Sequence, residues 1–243
     1  MAGPVKVQGV VLRSLRFGEA DRILHVYTPQ RGKLGAIAKG VRRARSRFGG
    51  RLEPFFRLNL VLHEGRGDLL TVTAAETIAG HPRLREHAGA LDTAARACDA
   101  VGRLFDTSEP HPGVYNLLCN ELALLDARAG AEGFSGHANQ LAFRLKLLLA
   151  AGLAPQLAAC ASCGEREHLS GFSGAAGGVV CHACEAGSFP LTQEAHAFLV
   201  DAIGRPLADT PPADDRALRQ AERAIDDTLE HHAGIRWRHA VAR

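Results

Sequence analysis

Hydrophobic and polar positions divide the chain into two regimes. Over residues 5–79 the apolar residues come in short runs, often alternating with polar ones and rich in Val and Ile, as in Val10, Val11, Ile23 and Val26. Such runs, punctuated by turn residues, read as strands. The pattern predicts five, over 5–12, 23–28, 33–39, 54–63 and 69–79, with Pro29 and Gly32 marking one turn and residues 64–68 a hairpin loop. Five short strands in about 80 residues suit a small closed barrel of the OB type. Strand pattern alone leaves an SH3-like barrel open as the rival.

Beyond His81-Pro82 the period changes to that of a helix. Leu84, Ala88, Leu91, Ala95, Cys98, Gly102 and Phe105 fall on one face, and Pro110 and Pro112 are expected to close that helix. A second helix is expected over 114–129, and a third over 138–151, where Leu141, Phe143, Leu145 and Leu147 to Leu149 make it apolar on most sides and so central. Residues 157–189 are Gly-rich, with little helical period. Thr192 is placed to cap a helix lined by Ala195, Phe198, Leu199 and Ala202, and Leu218, Ala221, Ile225 and Leu229 mark a final amphipathic helix. The expected fold is multidomain α+β. An OB-type barrel (1–80) and a central helical bundle (81–156) precede an inserted four-cysteine module (157–189), which packs with C-terminal helices that complete the bundle (190–243).

Charge sharpens the picture. The net charge of the 243 residues is only +3, but residues 1–80 hold 14 Lys and Arg against 6 Asp and Glu, a balance of +8, leaving 15 against 20, or −5, for the remainder. The basic residues concentrate in the third strand and the segment after it: Lys33, Lys39, Arg42, Arg43, Arg45, Arg47 and Arg51, with no acidic residue before Glu53. Clustered guanidinium groups repel one another and are relieved by an external polyanion, for which nucleic-acid phosphate is the obvious candidate. The plainer reading is a solvated basic loop. Few aromatics accompany these cations: Phe17, Tyr27, Phe48, Phe55 and Phe56 are those the barrel region offers for base stacking, so binding dominated by phosphate is expected. Lys6, Arg13, Arg16, Arg22, Arg144 and Lys146 are the next cations in line. Glu19 and Asp21 are expected to pair with Arg16 and Arg22.

Six cysteines need an explanation in a chain with no sign of a secretory signal and no apolar stretch long enough to span a bilayer. Four of them form two C-x-x-C knuckles, Cys160–Cys163 and Cys181–Cys184, separated by 17 residues. That spacing is expected of a zinc site with four cysteine ligands, in which two knuckles complete a tetrahedron at about 2.3 Å per Zn–S bond. Four thiolates leave no open coordination position, so one structural Zn2+ per chain is expected. A redox pair or inert thiols are the alternatives. Cys98 and Cys119 read as buried helix thiols, and His168 and His182 as exposed.

Catalytic constellations are scarce. There is no phosphate-binding G-x-x-x-x-G-K-[ST] loop, no G-x-S-x-G elbow, no H-E-x-x-H and no dinucleotide fingerprint. Asp214-Asp215 and Asp226-Asp227 read as solvated helix faces. The chain is therefore expected not to be an enzyme, a nuclease being the version to look for.

Phe17-Gly18-Glu19-Ala20-Asp21-Arg22-Ile23-Leu24, Gly32-Lys33-Leu34, Ala38-Lys39-Gly40-Val41-Arg42-Arg43 and Ser46-Arg47-Phe48-Gly49-Gly50-Arg51-Leu52-Glu53-Pro54-Phe55 closely resemble the N-terminal part of RecO, the bacterial recombination mediator family. The likeness continues through Cys160-Ala-Ser-Cys163-Gly164 and Gly177-Gly178-Val-Val-Cys181-His-Ala-Cys184. The resemblance implies an OB-fold domain, a helical domain and a zinc module. It also implies binding of single- and double-stranded DNA, annealing of complementary strands, and work with RecR and single-stranded-DNA-binding protein to place RecA on DNA in repair. With no sign of a secretory signal or membrane span, the expected location is cytoplasmic and nucleoid-associated. An RNA- or ribosome-binding role is the alternative, since OB barrels and zinc knuckles also serve RNA.

Overall fold

The computed structural model describes residues 3–43, 45–64, 67, 69–132, 134 and 136–237. The tip of the expected 64–68 hairpin loop (65, 66 and 68) and residues 238–243 lie outside the described residues. The chain divides into two compact units, Met1–Ala131 and Glu132–Arg243.

The first unit is built on a closed barrel of β1 (Val5–Phe17), β2 (Asp21–Thr28), β3 (Gly32–Ala38), β4 (Arg57–His63) and β5 (Leu70–Ala79) in the order β1-β2-β3-β5-β4. The β3–β5 pairing is parallel and the others antiparallel. That order is the OB-type arrangement and removes the SH3-like rival. β1 is 13 residues long, five longer than the apolar pattern suggests. Its first half pairs with β4 and, after an irregularity between Val11 and Arg13, its second half continues as a ribbon with β2. A ribbon that leaves the barrel core needs no inward apolar face, which is why Arg13, Ser14 and Arg16 hid it. Barrel closure also needs Gly9: Val26 of β2 occupies the space a Cβ there would take. Val7, Val11, Leu24, Val26, Leu34, Ala36, Leu58, Leu60, Leu62 and Val72 fill the core.

Three helices complete this unit: α1 (Pro82–Glu86), α2 (Ala88–Leu104) and α3 (Pro112–Arg128). The single helix expected from the 84–105 pattern is two, because His87 is extended at φ −120°. Nor do the prolines close it. α2 ends at Leu104, and Pro112 instead opens α3, where its missing N–H costs nothing.

In the second unit α4 (Gly136–Ala150) is buried on most sides, Leu141, Phe143, Leu145, Leu147 and Leu148 being fully enclosed, and packs against α5 (Gln193–Gly204) and α6 (Asp215–Ala233). Between α4 and α5 lies a small sheet of order β7-β6-β8, from β6 (Leu169–Ser173), β7 (Gly178–Cys181) and β8 (Phe189–Pro190). It is stapled to the helices. Asp227 of α6 accepts the Gly174 N–H at 2.6 Å, Gln220 accepts from Thr192 Oγ1 at 2.7 Å, and Arg223 lies 4.1 Å over the Phe189 ring. Thr192 caps α5 as expected, and Asp214 caps α6 by accepting from Ala217 N at 2.7 Å. Asp214 and Asp227 are therefore structural rather than merely solvated.

Candidate nucleic-acid interface and metal centre

The segment between β3 and β4 begins at Gly40, whose φ of +67° turns the chain out of the barrel. Its N–H donates to Asp21 Oδ1 at 2.7 Å, and the Arg42 N–H donates to the Ala20 carbonyl at 2.9 Å. Further along, Phe48 and Leu52, each 2% exposed, enter the barrel core, with Val41 packed beside them. Each such side chain, fully buried, stabilises its position by about 1.5–3 kcal/mol relative to leaving it exposed. Glu53 then meets Arg22 of β2 in a two-pronged ion pair, and Arg22 also donates to Ser14 Oγ at 3.0 Å. The loop is thus a folded cap on the barrel, plugged at its middle and tied at both ends.

What the cap exposes is positive. Lys39, Arg42, Arg43, Arg45, Arg47 and Arg51 are all exposed. Arg51 donates to the Arg47 and Phe48 carbonyls at 3.3 and 3.4 Å, and Arg47 lies 4.9 Å from the Phe48 ring centre. The two nearby carboxylates are otherwise engaged, Asp21 by a backbone N–H and Glu53 by Arg22. This corrects the expected pairing of Glu19 and Asp21 with Arg16 and Arg22. Among the described residues none of Lys39, Arg42, Arg43, Arg45 and Arg47 makes an ion pair.

Lys33 does not join this group. Its ammonium donates to the Gly102 carbonyl of α2 at 2.8 Å. The other cations in line also sort themselves. Arg144 is 2% exposed, within 3.4 Å of Glu222 and 4.7 Å from the Trp237 ring centre. Lys146 donates to the Ile203 carbonyl at 2.9 Å, and burial lowers its pKa. Both serve the interior of the second unit. Of the aromatics, Tyr27, Phe48 and Phe55 are buried, and burial pushes the Tyr27 hydroxyl up to about 12. Phe17, half exposed at the end of β1, is the most exposed of the five. Sequence reading missed Phe48 and Leu52 as anchors. Their signal was a pair of large apolar residues four apart in an otherwise polar, Gly-rich segment.

In the second unit the Sγ atoms of Cys160, Cys163, Cys181 and Cys184 all lie within 4.8 Å of one another. Cys163 and Cys181 are 3.7 Å apart, the edge of a tetrahedron with metal–sulfur bonds of about 2.3 Å. Gly164, at φ +81°, closes the first knuckle by donating to the Cys160 carbonyl at 2.9 Å. Ala161 and Gln156 tie the chain at and before that knuckle to Val179 of β7. Backbone hydrogen bonds, from Cys181 first and then Cys163 and Ser162, lower the Cys160 pKa, while hydrogen bonds with Cys163 and Cys181 raise that of Cys184. Crowded thiols resist losing several protons without a cation among them, and a soft divalent ion supplies that charge. The apolar cluster around them is small, built on Cys160, Val180 and Cys181 with Leu169, Ala176 and Cys184 beside it. His168 and His182 are exposed, and His182 pairs with Glu185 at 3.0 Å.

Family models place the chain. Residues 1–81 match "Recombination protein O N terminal" and residues 89–240 match "Recombination protein O C terminal". The chain belongs to the RecO family. It is 38% identical over 240 residues to the DNA repair protein RecO of Anaeromyxobacter sp. (strain K), covering 96% of this chain and 92% of that one. To the DNA repair protein RecO of Rubrobacter xylanophilus it is 39% identical over 224 residues, 90% of this chain and 87% of that one. A RecO from Bifidobacterium adolescentis is 37% identical, with 93% of each chain covered. The resemblance therefore runs through barrel, helices and cysteine module alike. No helix among the described residues is long and apolar enough to cross a membrane.

Proposed function

We propose that the chain is a DNA-binding recombination mediator of DNA repair. It binds single- and double-stranded DNA through the cap, anneals complementary strands, and with RecR helps to load RecA onto DNA coated by single-stranded-DNA-binding protein. The observation that carries this reading is the cap itself, in which buried Phe48 and Leu52 hold Lys39, Arg42, Arg43, Arg45 and Arg47 outward without internal counter-charges. A fixed array of guanidinium groups contacts phosphate with little interest in sequence, and screening two strands' phosphates lowers the repulsion between them. No bond need be made or broken, so the reading needs no catalytic group. Its location would be cytoplasmic, with the nucleoid.

The donor set suits one structural Zn2+ per chain, held by Cys160, Cys163, Cys181 and Cys184. The ion would fold the module rather than act on DNA, because four thiolates exclude substrate from its coordination sphere. The test is annealing of complementary strands already coated with single-stranded-DNA-binding protein, without nucleotide. Wild type should anneal them, and a variant with Arg42, Arg43 and Arg45 replaced by Glu should not. Annealing by the triple variant at the wild-type rate would remove the cap from the reading.

A further inference from the structure

Within the first unit, the barrel and α2 enclose a cleft of about 460 Å³, inside the range of about 300–1,000 Å³ usual for small-ligand sites. Leu12 and Phe55 form an apolar wall. The same cleft is lined by basic side chains from separate elements: Arg13 on β1, His25 on β2 and Lys33 on β3. Arg13 and His25 are direct cross-strand partners, which sets the two groups side by side where one anion can meet both. Asp99 is the one carboxylate among the described lining residues, and Arg103 takes it at 2.7 Å. Lys33 is held by the Gly102 carbonyl at 2.8 Å, which leaves its ammonium two further donors.

The wall is fixed under strain. Phe55 has φ +74°, a conformation that a bulky residue keeps only where its surroundings enforce it. Its N–H donates to the Val11 carbonyl at 2.8 Å, and the Val11 N–H donates to the Phe56 carbonyl at 2.9 Å. Arg85 clamps the preceding residue through the Pro54 carbonyl at 2.6 Å. Apolar surface held in place in a cleft that basic side chains from three strands also line has the two parts that a nucleotide requires.

We infer that this cleft is a subsite for one nucleotide unit, its phosphate received by Arg13, His25 and Lys33 and its sugar and base lying along Leu12 and Phe55. The inference rests on the DNA-binding reading only for the source of the nucleotide. The site is also linked to protons. Burial, then Lys33 and Arg13, hold His25 below its ordinary pKa. Across the cleft the groups facing it are Asp99, already paired, Arg103, and the Cys98 thiol, which burial keeps neutral. A phosphate beside His25 raises its pKa again, so binding takes up a proton and strengthens as the pH falls towards and below the ordinary histidine value.

The experiment follows the His25 ring resonance by NMR in the full chain, assigned with His25→Gln. The probes are tetrathymidylate without a terminal phosphate, whose diesters do not titrate near neutrality, and thymidine monophosphate. Tetrathymidylate should shift the resonance and raise its titration midpoint, in wild type and equally in the variant with Arg42, Arg43 and Arg45 replaced by Glu. Arg13→Gln, at an exposed position, should leave the fold intact and weaken the response roughly tenfold or more, the loss of one charge-assisted hydrogen bond. Response to the monophosphate alone would uphold the subsite while assigning it to a free nucleotide rather than a strand. A resonance unmoved by either probe, or equal affinity in a folded Arg13→Gln variant, would overturn the inference. Loss of DNA binding in the cap variant with an unchanged His25 response would separate this subsite from the cap.

Discussion

Arg22 and Glu53, 31 positions apart in the chain, close the neck of the basic cap through two parallel contacts of 3.0 and 3.1 Å. The pair does two things at once: it ties the end of the cap to β2, and it removes from the cap's surroundings the carboxylate that would otherwise pair with its arginines. Glu53→Gln should therefore lower the unfolding free energy by about 1 kcal/mol or less, as for a partly exposed ion pair. It should also raise DNA affinity at low salt, because Arg22 regains an uncompensated charge. Denaturant unfolding and a salt series of DNA affinities measure the two effects, and weaker DNA binding by a folded Glu53→Gln variant would contradict the assignment.

The exposed cations of the cap set the salt dependence. Each phosphate neutralised on single-stranded DNA contributes roughly −0.7 to the slope of log affinity against log salt. Lys39, Arg42, Arg43, Arg45 and Arg47 together should supply about −3.5, and replacing Arg42, Arg43 and Arg45 by Glu should flatten the slope by about 2 or more. Affinity measured at several salt concentrations gives the slope directly. An unchanged slope in a folded variant would move the main contact to Lys6, Arg13 and Arg16.

Metal and DNA should separate experimentally. Elemental analysis is expected to find one zinc per chain. Cys160→Ser should release it and unfold the Leu169–Phe189 region, whose apolar cluster is too small to persist alone. The barrel, with its own core, should keep its amide protection and most of its DNA affinity. Full zinc content in Cys160→Ser would refute the ligand set.

Arg144 tests the interior of the second unit. Arg144→Ala removes a buried cation from Glu222 and Trp237 and should cost about 3–5 kcal/mol, the usual penalty for breaking a buried pair. The salt slope of DNA binding should not change. A flattened slope with undiminished stability would instead make Arg144 a DNA contact.

Much of this was legible in the sequence because it depends on local pattern. Alternating apolar runs marked all five strands, apolar periodicity marked the helices, and the duplicated knuckle marked the cysteines that converge. The errors fell where local pattern is silent. β1 ran five residues past its apolar stretch because pairing with β2, not burial, sustains it there. The helix expected over 84–105 broke at His87, whose extended backbone no periodicity reveals.

By itself, then, the sequence determined the barrel and bundle classes, the four cysteines that converge and the place of the basic cluster, since strand period, knuckle spacing and charge density are properties of short segments. Only the tertiary structure decided which cations are free. Lys33, Arg22, Arg144 and Lys146 are ordinary basic residues in the sequence, yet their partners are Gly102, Glu53, Glu222 and Ile203, each at least 31 positions away. Whether a charge faces solvent or a buried carbonyl is settled by what the fold brings within about 3 Å of it, and that distance is not written in any neighbourhood of the chain.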